Sequence, residues 1–401
     1  MARSEVRIIV AGVDYPVAAY QIESNMLQGA DAFGVSLPNP GGVLAGKFAP
    51  FDAVQVVLDD TVQMTGFIDE VNESGSPGSG ATIELVGRDK FGQLVDHCPE
   101  PGQISGLDLA QVAAKLSDPF GIDWIFDNEE NRSKLQIARA KYARLDKQAK
   151  QDKAEYERQT LLSRLTVGNS VNALNETRLE KLKANLAAIK LVVFPRIKVE
   201  PGDRVLDVLQ KYAKKTGFMI WQAADGAGII AKPSYNANPS YQICLFPPSH
   251  HDRHRNNVRS YNHTARGADR YATYRAIGYS GNTSTTSGKG SRHDLTETDA
   301  GVPLARHLVI GGGGGQNRKQ AKEELSRQRQ QAEFDSDVLS YTMGGHTQSE
   351  LLWQVDTIAS VEDRMTNRTG SWFITRRRFE GTMNGGQTTE LTLHRPNVLL
   401  P

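Results

Sequence analysis

The stretch that decides the fold is TGFIDEVNESGSPGSGATIELVGRDKFGQLVDHC, residues 65–98. Apolar and polar residues alternate in two runs, 67–71 and 81–86, which are separated by a loop of Gly, Ser and Pro. Alternation with a period of two is typical of β-strands that bury one face, and a Gly- and Pro-containing loop between two such runs predicts a hairpin. The stretch therefore predicts a β-hairpin that leaves through a charged turn, Gly-Arg-Asp-Lys.

Length and charge limit the functions open to this chain. Its 401 residues are too many for one ordinary hydrophobic core, so two to four domains are expected. Lys and Arg number 47 against 46 Asp and Glu, which gives a formal net charge of +1. A balanced chain creates no overall field that attracts nucleic acid or anionic lipid, so any charged function has to be local.

Cysteine content and hydropathy predict a soluble protein that is made in a cytoplasm. The two cysteines, Cys98 and Cys244, are too few for a disulfide framework or a multi-cysteine zinc site. The N-terminus lacks the apolar core of a signal peptide, and no run of about 18 apolar residues is present. We therefore expect no membrane span and synthesis in a reducing compartment.

Changes of pattern along the chain predict its domains. Residues 1–98 form short alternating runs between turns and predict an N-terminal β domain, a small β-barrel or a sandwich, of which the barrel is the expected form. Residues 99–127 together with 193–235 combine helical spacing with short strands and predict an α/β domain. Residues 236–401 predict a second β-barrel with long loops and a helix at 316–334. The expected fold class is mainly β with an α/β middle, two similar small β-barrels and an inserted helical hairpin.

The inserted hairpin is predicted at residues 128–192, where Gly and Pro are nearly absent and apolar residues recur at helical spacing. Across 129–190, fourteen Lys and Arg stand against eight Asp and Glu, a net charge of +6. Two interpretations stay open: a solvated coiled-coil face, or a docking arm for an acidic partner. The residues predicted to dock that partner are Arg139, Lys147, Lys150 and Lys181.

A weak internal repeat connects the two ends of the chain. Residues 361–396, VEDRMTNRTGSWFITRRRFEGTMNGGQTTELTLHRP, follow the same plan as residues 57–89, VLDDTVQMTGFIDEVNESGSPGSGATIELVGRD. Each has an acidic turn, then Thr-Gly, a strand with Phe-Ile, a Gly-containing apex and a Glu-Leu strand that finishes at Arg88 or Arg395. The order and spacing predict two copies of one β unit in a single chain.

Several segments resemble the Mu-like phage tail protein P family, the central baseplate hub of contractile tails. They are AFGVSLP at 32–38, FAPFDAVQVVLDDTVQMTGFIDEV at 48–71 and IELVGRDKFGQLVDHC at 83–98. KVEPGDRVLDVLQKYAKKTGFMIWQAADGAGIIAKP at 198–233 resembles the family's α/β middle domain, and YTMGGHTQSELLWQVDTIASVED at 341–363 resembles its passage before the last hairpin. The resemblance covers roughly residues 1–127 and 193–401, and the inserted hairpin departs from it.

The resemblance implies a homotrimer in the virion tail baseplate that is synthesised in the cytoplasm of a bacterial host. We expect no enzymatic activity. Each chain would contribute two barrels, so that three subunits make a ring of six and join the six-fold tail tube to the three-fold central spike. The partners implied are the tube and spike proteins, together with the tape measure and baseplate wedge proteins. DNA would pass through the ring without specific binding.

The residues predicted at the ring interface come from both hairpins. Gly87 permits a tight exit, Arg88 and Asp89 pair and cap the following turn, and Leu94 and Val95 close the barrel end. In the triplet at 376–378, alternation places the outer two arginines on one face, where we expect pairing with acidic residues of another subunit rather than with DNA. The full predicted set is Gly87, Arg88, Asp89, Asp96, Arg376, Arg378 and Arg395.

The sequence contains only weak signals for a catalytic or metal site. The loop SHHDRHR contains His250, His251 and His254, and closely spaced histidines can hold a metal. Three nearby arginines and the lack of a second cluster favour a polar loop, so neither a metal nor a cofactor is predicted. The glycine run at 311–315 lacks the Gly-Lys-Ser/Thr ending of a phosphate loop.

Two alternatives to a purely structural phage hub remain. One is a hub with peptidoglycan hydrolase activity, for which the hairpin carboxylates Asp69, Glu70 and Glu73 are the candidates. Carboxylates on a strand surface are far commoner than a catalytic pair, and no Gly-x-Ser-x-Gly elbow occurs. The other alternative is the hub of a contractile injection particle that carries no DNA.

Overall fold

The computed structural model describes residues 4–76, 80–127, 197–216, 218–235, 237–280, 291–311, 318–383, 385–396 and 398. The hairpin predicted at 128–192, with Arg139, Lys147, Lys150 and Lys181, lies outside these residues. The chain divides into two compact units. The first comprises Met1–Gly92, Trp221–Gly226 and Pro233–Pro401, and the second comprises Gln93–Ile220 and Ala227–Lys232.

The N-terminal part of the first unit consists of seven strands. Hydrophobic residues alternate along them and bury one face, as in β1, where Val6, Ile8 and Val10 are buried and the residues between are half-exposed. The strands are β1 Val6–Val10, β2 Val13–Pro16, β3 Ala19–Asn25, β4 Ala32–Pro38, β5 Ala53–Leu58, β6 Thr61–Ser76 and β7 Gly80–Asp89. The predicted hairpin is therefore present as β6 and β7.

The second unit has the α/β character predicted for the middle of the chain. Helix α1 (Phe91–Asp96) leads into it, and α2 (Leu109–Ser117) starts with a capping box in which Asp108 and Gln111 satisfy each other's backbone N–H groups. Helix α3 (Val205–Thr216) has a strongly apolar face. The strands are β8 Gly102–Ile104, β9 Trp124–Asp127, β10 Ile197–Val199 and β12 Gly228–Ala231, together with β11 Met219–Gln222, whose last two residues belong to the first unit. Strand β9 pairs in parallel with β12.

The C-terminal part of the first unit returns to β structure. A small sheet of three strands packs its buried Tyr274 and Ala276 against Leu325 of helix α4 (Arg318–Ser336), the helix predicted at 316–334. The strands are β13 Tyr241–Leu245, β14 Val258–Ala265, β15 Thr273–Ser280, β16 Ser291–Thr298, β17 His307–Gly311, β18 Asp337–Gly344, β19 Thr347–Gln348, β20 Leu351–Leu352, β21 Thr357–Asp363, β22 Arg368–Thr382 and β23 Gln387–His394.

Both ends of the chain enter one sheet of thirteen strands. The order along it is β14-β18-β23-β22-β3-β4-β7-β6-β5-β1-β2, with β21 beside β22 and β13 beside β21. One hydrophobic core, from Ile8 to Leu393, includes residues of both ends. Within the described residues the sheet does not close into a barrel. Closure of the N-terminal strands would require β3 to pair with β1, whereas β3 pairs with β22. The mainly β prediction is confirmed, whereas two separate closed barrels are not.

None of the helices in the described part of the chain combines the length and the apolar character that crossing a bilayer requires.

Candidate assembly interface

The first unit contains two modules with the same strand order. We define the N-terminal module as β1 and β3–β7, and the C-terminal module as β13, β14, β18 and β21–β23. The spatial order β1-β5-β6-β7-β4-β3 in one corresponds to β13-β21-β22-β23-β18-β14 in the other. The strands also occur in the same order along the chain. One pairing differs, since β1 is antiparallel to β5 whereas β13 is parallel to β21.

The two long hairpins share a register irregularity at the same place. In β6 the pairing with β7 slips after Ile68, and in β22 the pairing with β23 slips after Ile374. Ile68 faces Gly87 and Ile374 faces Leu393, so a constant shift of 306 residues relates one hairpin to the other. The repeated Phe-Ile of the sequence therefore marks a repeated β-bulge.

Equivalent positions beside the bulge interact in both modules. The guanidinium of Arg88 forms a bidentate ion pair with Asp69, the bulged residue, at 2.7 and 3.0 Å. The residue equivalent to Arg88 is His394, and its Nδ1 lies 3.0 Å from the hydroxyl of Thr375, the bulged residue of β22. Arg88 thus corresponds to His394, one position before the Arg395 expected from sequence.

The remaining predicted residues of the first hairpin have packing and capping roles. Gly87 lies under the ring of Phe33, where an added Cβ would meet ring atoms at 2.6 Å, so no larger residue fits. The carboxylate of Asp89 is buried and accepts from the backbone N–H groups of Asp31 and Phe91, each at 3.0 Å. Burial, followed by the nearby charge of Asp31, holds the pKa of Asp89 well above its usual range. Asp89 therefore caps the turn as predicted, while Arg88 pairs with Asp69.

Asp96 and Arg395 lie apart from this group. Asp96 ends α1 with an exposed side chain, and its backbone carbonyl accepts a hydrogen bond from the guanidinium of Arg204. Arg395 donates to Asp337 at 3.1 Å and stacks over Trp372 at 4.3 Å from the ring centre. Both contacts of Arg395 are with C-terminal residues of its own chain.

The junction between the modules is formed by β3 and β22. The two strands pair antiparallel over Ala19–Asn25 and Arg376–Thr382. Arg376 makes a bidentate ion pair with Glu23 at 2.7 and 2.8 Å, and Arg378 donates to Gln21 at 3.0 Å. We expected these arginines to pair with acidic groups of another subunit, and the structure instead pairs Arg376 with a carboxylate 353 residues away in the same chain.

Arg377 points to the opposite face, as the alternation predicted, and is buried inside the junction. Its guanidinium donates to the carbonyl of Trp353 at 2.6 Å and to Oε1 of Gln63 at 2.8 Å, and lies 4.6 Å from the ring centre of Phe379. Burial lowers the pKa of Arg377 to about 10, which leaves it charged at neutral pH. One cation thus binds polar groups from both modules.

A second buried network surrounds Tyr20 in the same junction. The hydroxyl of Thr389 donates to the carbonyl of Gly345 at 2.7 Å, so Nδ1 of His346 carries a proton and donates to Thr389 Oγ1 at 3.0 Å. Nε2 of His346 then accepts from the Tyr20 hydroxyl at 2.6 Å, and Gln387 donates to Tyr20 at 2.9 Å. This network requires neutral His346.

Acidification should weaken the fold through His346. Burial lowers the pKa of His346 from 6.5 to about 4. At this position the unfolded chain therefore binds more protons between these values, and the contribution of His346 to the free energy of unfolding falls as pH falls through this window. His346→Gln should remove this contribution, which amounts to at most about 1.4 kcal/mol per pH unit. Urea unfolding of both proteins across the window measures it, and parallel curves would contradict the assignment.

The loop at 250–255 is held by its own contacts. Nδ1 of His250 accepts from the backbone N–H of Asp252 at 3.1 Å, and the ring stacks on Phe246 with centres 4.7 Å apart. His251 is largely exposed and lies 3.0 Å from the Asp252 carboxylate. The possible ligand atoms of these three residues lie within 4.8 Å of one another. Because one of the three is already an N-cap acceptor, the geometry favours a structural role.

Sequence reasoning did not find the junction of β3 with β22. A signal was present in the complementary charges of Glu23 and the arginine triplet, but local patterns do not specify which distant strand an edge will pair with.

Comparison with known proteins confirms the family resemblance for the N-terminal module. Residues 5–89 match the family model described as Mu phage baseplate assembly protein GpP-like, N-terminal. The matched residues extend from just before β1 to the end of β7, about a fifth of the chain. No curated protein matches the sequence.

Solved structures with a similar fold include tail proteins. A tail protein from Neisseria meningitidis MC58 is 19% identical with a TM-score of 0.72, over 99% of this chain and 98% of that chain. The 43 kDa tail protein of prophage MuSo2 from Shewanella oneidensis is 18% identical with a TM-score of 0.70, over 99% of both chains. An E. coli component of the type VI secretion system is 9% identical with a TM-score of 0.52, over 96% of this chain and 76% of that chain.

Proposed function

We propose that this protein is the structural hub of a contractile tail baseplate and acts as an adaptor between symmetries. Three copies form a ring in which the two modules of each chain alternate, so that six similar surfaces face the six-fold tail tube. The opposite end of the trimer accepts the three-fold central spike. Two modules with one strand order in a single chain are the observation that carries this proposal.

The same arrangement sets the partners and location. The hub lies in the virion tail baseplate, where its partners are the tube, spike, tape measure and baseplate wedge proteins. DNA passes through the ring without specific binding. Similarity of fold to tail proteins supports this assignment, and the match of residues 5–89 to a baseplate assembly family supports it independently.

A hub of a contractile injection particle without DNA is the second candidate. It is favoured by the shared fold with the type VI secretion component, which itself exhibits structural similarity to T4 bacteriophage tail proteins. Imaging of the native particles distinguishes the two, since only a phage tail is attached to a DNA-filled capsid. Under either assignment the role is non-enzymatic, and zymography of the purified protein on peptidoglycan should show no clearing.

The oligomeric state of the purified protein tests the adaptor directly. We expect light scattering after size exclusion to give three times the chain mass of 44.0 kDa. A monomer or a dimer at micromolar concentration would contradict the proposal, because neither presents six modules.

A further inference from the structure

Among the strand edges that are open in the described part of the first unit, two lie at the places in the two modules that correspond to the β3–β22 junction. Within the described residues, β14 pairs only with β18, on one of its two sides. Residues 70–75 of β6 pair only with β7, because β5 pairs with β6 no further than Phe67. An exposed strand edge presents unpaired N–H and C=O groups and is a template for pairing with another strand.

In the C-terminal module, the edge that corresponds to residues 70–75 is occupied. The shift of 306 places residues 376–381 of β22 in the same position, and β3 pairs with them there. The strand that corresponds to β3 is β14, because β3 pairs with β4 as β14 pairs with β18. Phe33 and Leu339 are equivalent by the same shift, and they face Ile22 and His263. Tyr20 is therefore equivalent to Tyr261.

We propose that β14 of one copy of this chain pairs antiparallel with residues 70–75 of β6 in a second copy, in the register of the β3–β22 junction. This inference rests on the proposed trimer and names the contact that closes it. The opposed residues are Val71 with Ala265, Asn72 with Thr264, Glu73 with His263, Ser74 with Asn262, and Gly75 with Tyr261.

The residues of β14 whose backbone groups face the open edge are the ones that this pairing requires. In an antiparallel sheet, successive residues direct their backbone groups to opposite sides. The N–H of Arg266 donates to the carbonyl of Ser336 at 2.8 Å, in register with the β14–β18 pairs. Thr264 and Asn262 therefore face β18, and the backbone groups of Ala265, His263 and Tyr261 face the open edge.

The residues of β6 whose backbone groups face its open edge match those of β14. The N–H of Asn39 donates to the carbonyl of Ala81 at 2.8 Å, in register with the β4–β7 pairs. The odd-numbered residues of β7 thus face β4, and the even-numbered ones face residues 70, 72 and 74 of β6. Residues 71, 73 and 75 direct their backbone groups to the open edge, opposite those of β14 in the proposed register.

The existing junction has the same phase. The N–H of Met26 donates to the carbonyl of Thr375 at 3.0 Å, in register with the β3–β22 pairs. Tyr20 lies an even number of residues from Met26, so its backbone N–H and C=O groups also face β22. The backbone groups of the equivalent Tyr261 would face β6 in the same way. The intrachain junction is a direct template for the contact between copies.

The side chains at the two edges also complement each other. At the existing junction Tyr20 covers Gly381, since a Cβ on that glycine would lie 2.5 Å from the tyrosine hydroxyl. Their equivalents, Tyr261 and Gly75, are opposed in the proposed register. Tyr261 is 44% exposed whereas Tyr20 is 8% exposed, as expected of a residue whose partner surface belongs to another copy.

Charge favours the same partner. The open edge of β6 contains Glu70, and the chain continues from β14 to Arg266, and both side chains are exposed. The proposed register places Glu70 opposite Arg266. Opposite charges on directly opposed residues stabilise a strand pair.

Repetition of this contact closes a ring. Within one chain the N-terminal module adds its β3 to the C-terminal module, and between chains the C-terminal module adds β14 to the next N-terminal module. Every junction then joins equivalent strands in the same register, with the same alternation of hydrogen-bonded residues. Six modules from three copies are thus related by one repeated rotation.

A disulfide between Asn72→Cys and Thr264→Cys tests the register. These residues form a non-hydrogen-bonded pair across the proposed contact, where Cα atoms are about 4.5 Å apart, within disulfide range. Exposed Cys98 is first replaced by Ser, and buried Cys244 is kept. The matched control is Asn72→Cys with Ser260→Cys, which is displaced by four residues, or about 13 Å along the strand.

Mild oxidation should convert the test variant to covalent dimers and trimers on a non-reducing gel, whereas the control stays monomeric. Mixed chains that each carry one of the two cysteines should give only covalent dimers. A light-scattering trimer without these cross-links would overturn the β14–β6 contact and leave the proposed trimer standing. A light-scattering monomer would overturn both.

Discussion

Tyr261→Pro should give a folded protein that no longer forms trimers. The N–H of Tyr261 faces the open edge of β14, so its loss removes no bond to β18. In the assembly the same change leaves the carbonyl of Gly75 in the next copy without its donor, at a cost of about 1–3 kcal/mol at each junction. Over three junctions the association constant should fall at least roughly a hundredfold.

Light scattering and far-UV circular dichroism together measure this effect. Tyr261→Phe is the matched control, because it keeps the N–H and the ring and should remain trimeric. A Tyr261→Pro protein that is folded and still trimeric would show that β14 does not form the contact between copies.

Arg377→Ala should cause the largest loss of stability among the arginines of the triplet. The substitution leaves the carbonyl of Trp353 and Oε1 of Gln63 without their donor and opens a cavity beside Phe379. Buried acceptors without partners cost about 1–3 kcal/mol each, so we expect the free energy of unfolding to fall by about 4 kcal/mol.

Urea unfolding measures this loss, with Arg378→Ala as the matched control. Arg378 lies on the opposite face of β22, half-exposed, and its loss should cost about 1 kcal/mol or less. Arg377→Lys should give an intermediate value, because a lysine keeps the charge but lacks the fork that reaches both acceptors. Equal losses for Arg377→Ala and Arg378→Ala would contradict the role of the buried network.

Local patterns in the sequence predicted the elements that depend on neighbouring residues. The alternation at 67–71 and 81–86 predicted β6 and β7, and the repeated Phe-Ile predicted the second hairpin. The bulge itself was not predicted, because it depends on pairing with the next strand. The capping role of Asp89 followed from its position between a strand and a helix, but its burial did not.

Long-range pairing was the part that sequence could not specify. Glu23 and Arg376 are 353 residues apart, and nothing local indicates that β3 pairs with β22 of the other module as well as with β4 of its own. The burial of Arg377 is similarly unexpected, since arginine is almost never fully buried unless its guanidinium is paired. Its partners, Gln63 and Trp353, come from distant strands and loops that only the folded sheet brings together.

The proposed ring requires that one chain contributes the same module twice. Cryo-electron microscopy of the purified protein tests this most directly. We predict a threefold assembly in which the N- and C-terminal modules alternate at one radius around the axis, with β14 of each copy beside residues 70–75 of the next. A reconstruction in which only one of the two modules lines the central channel would contradict it.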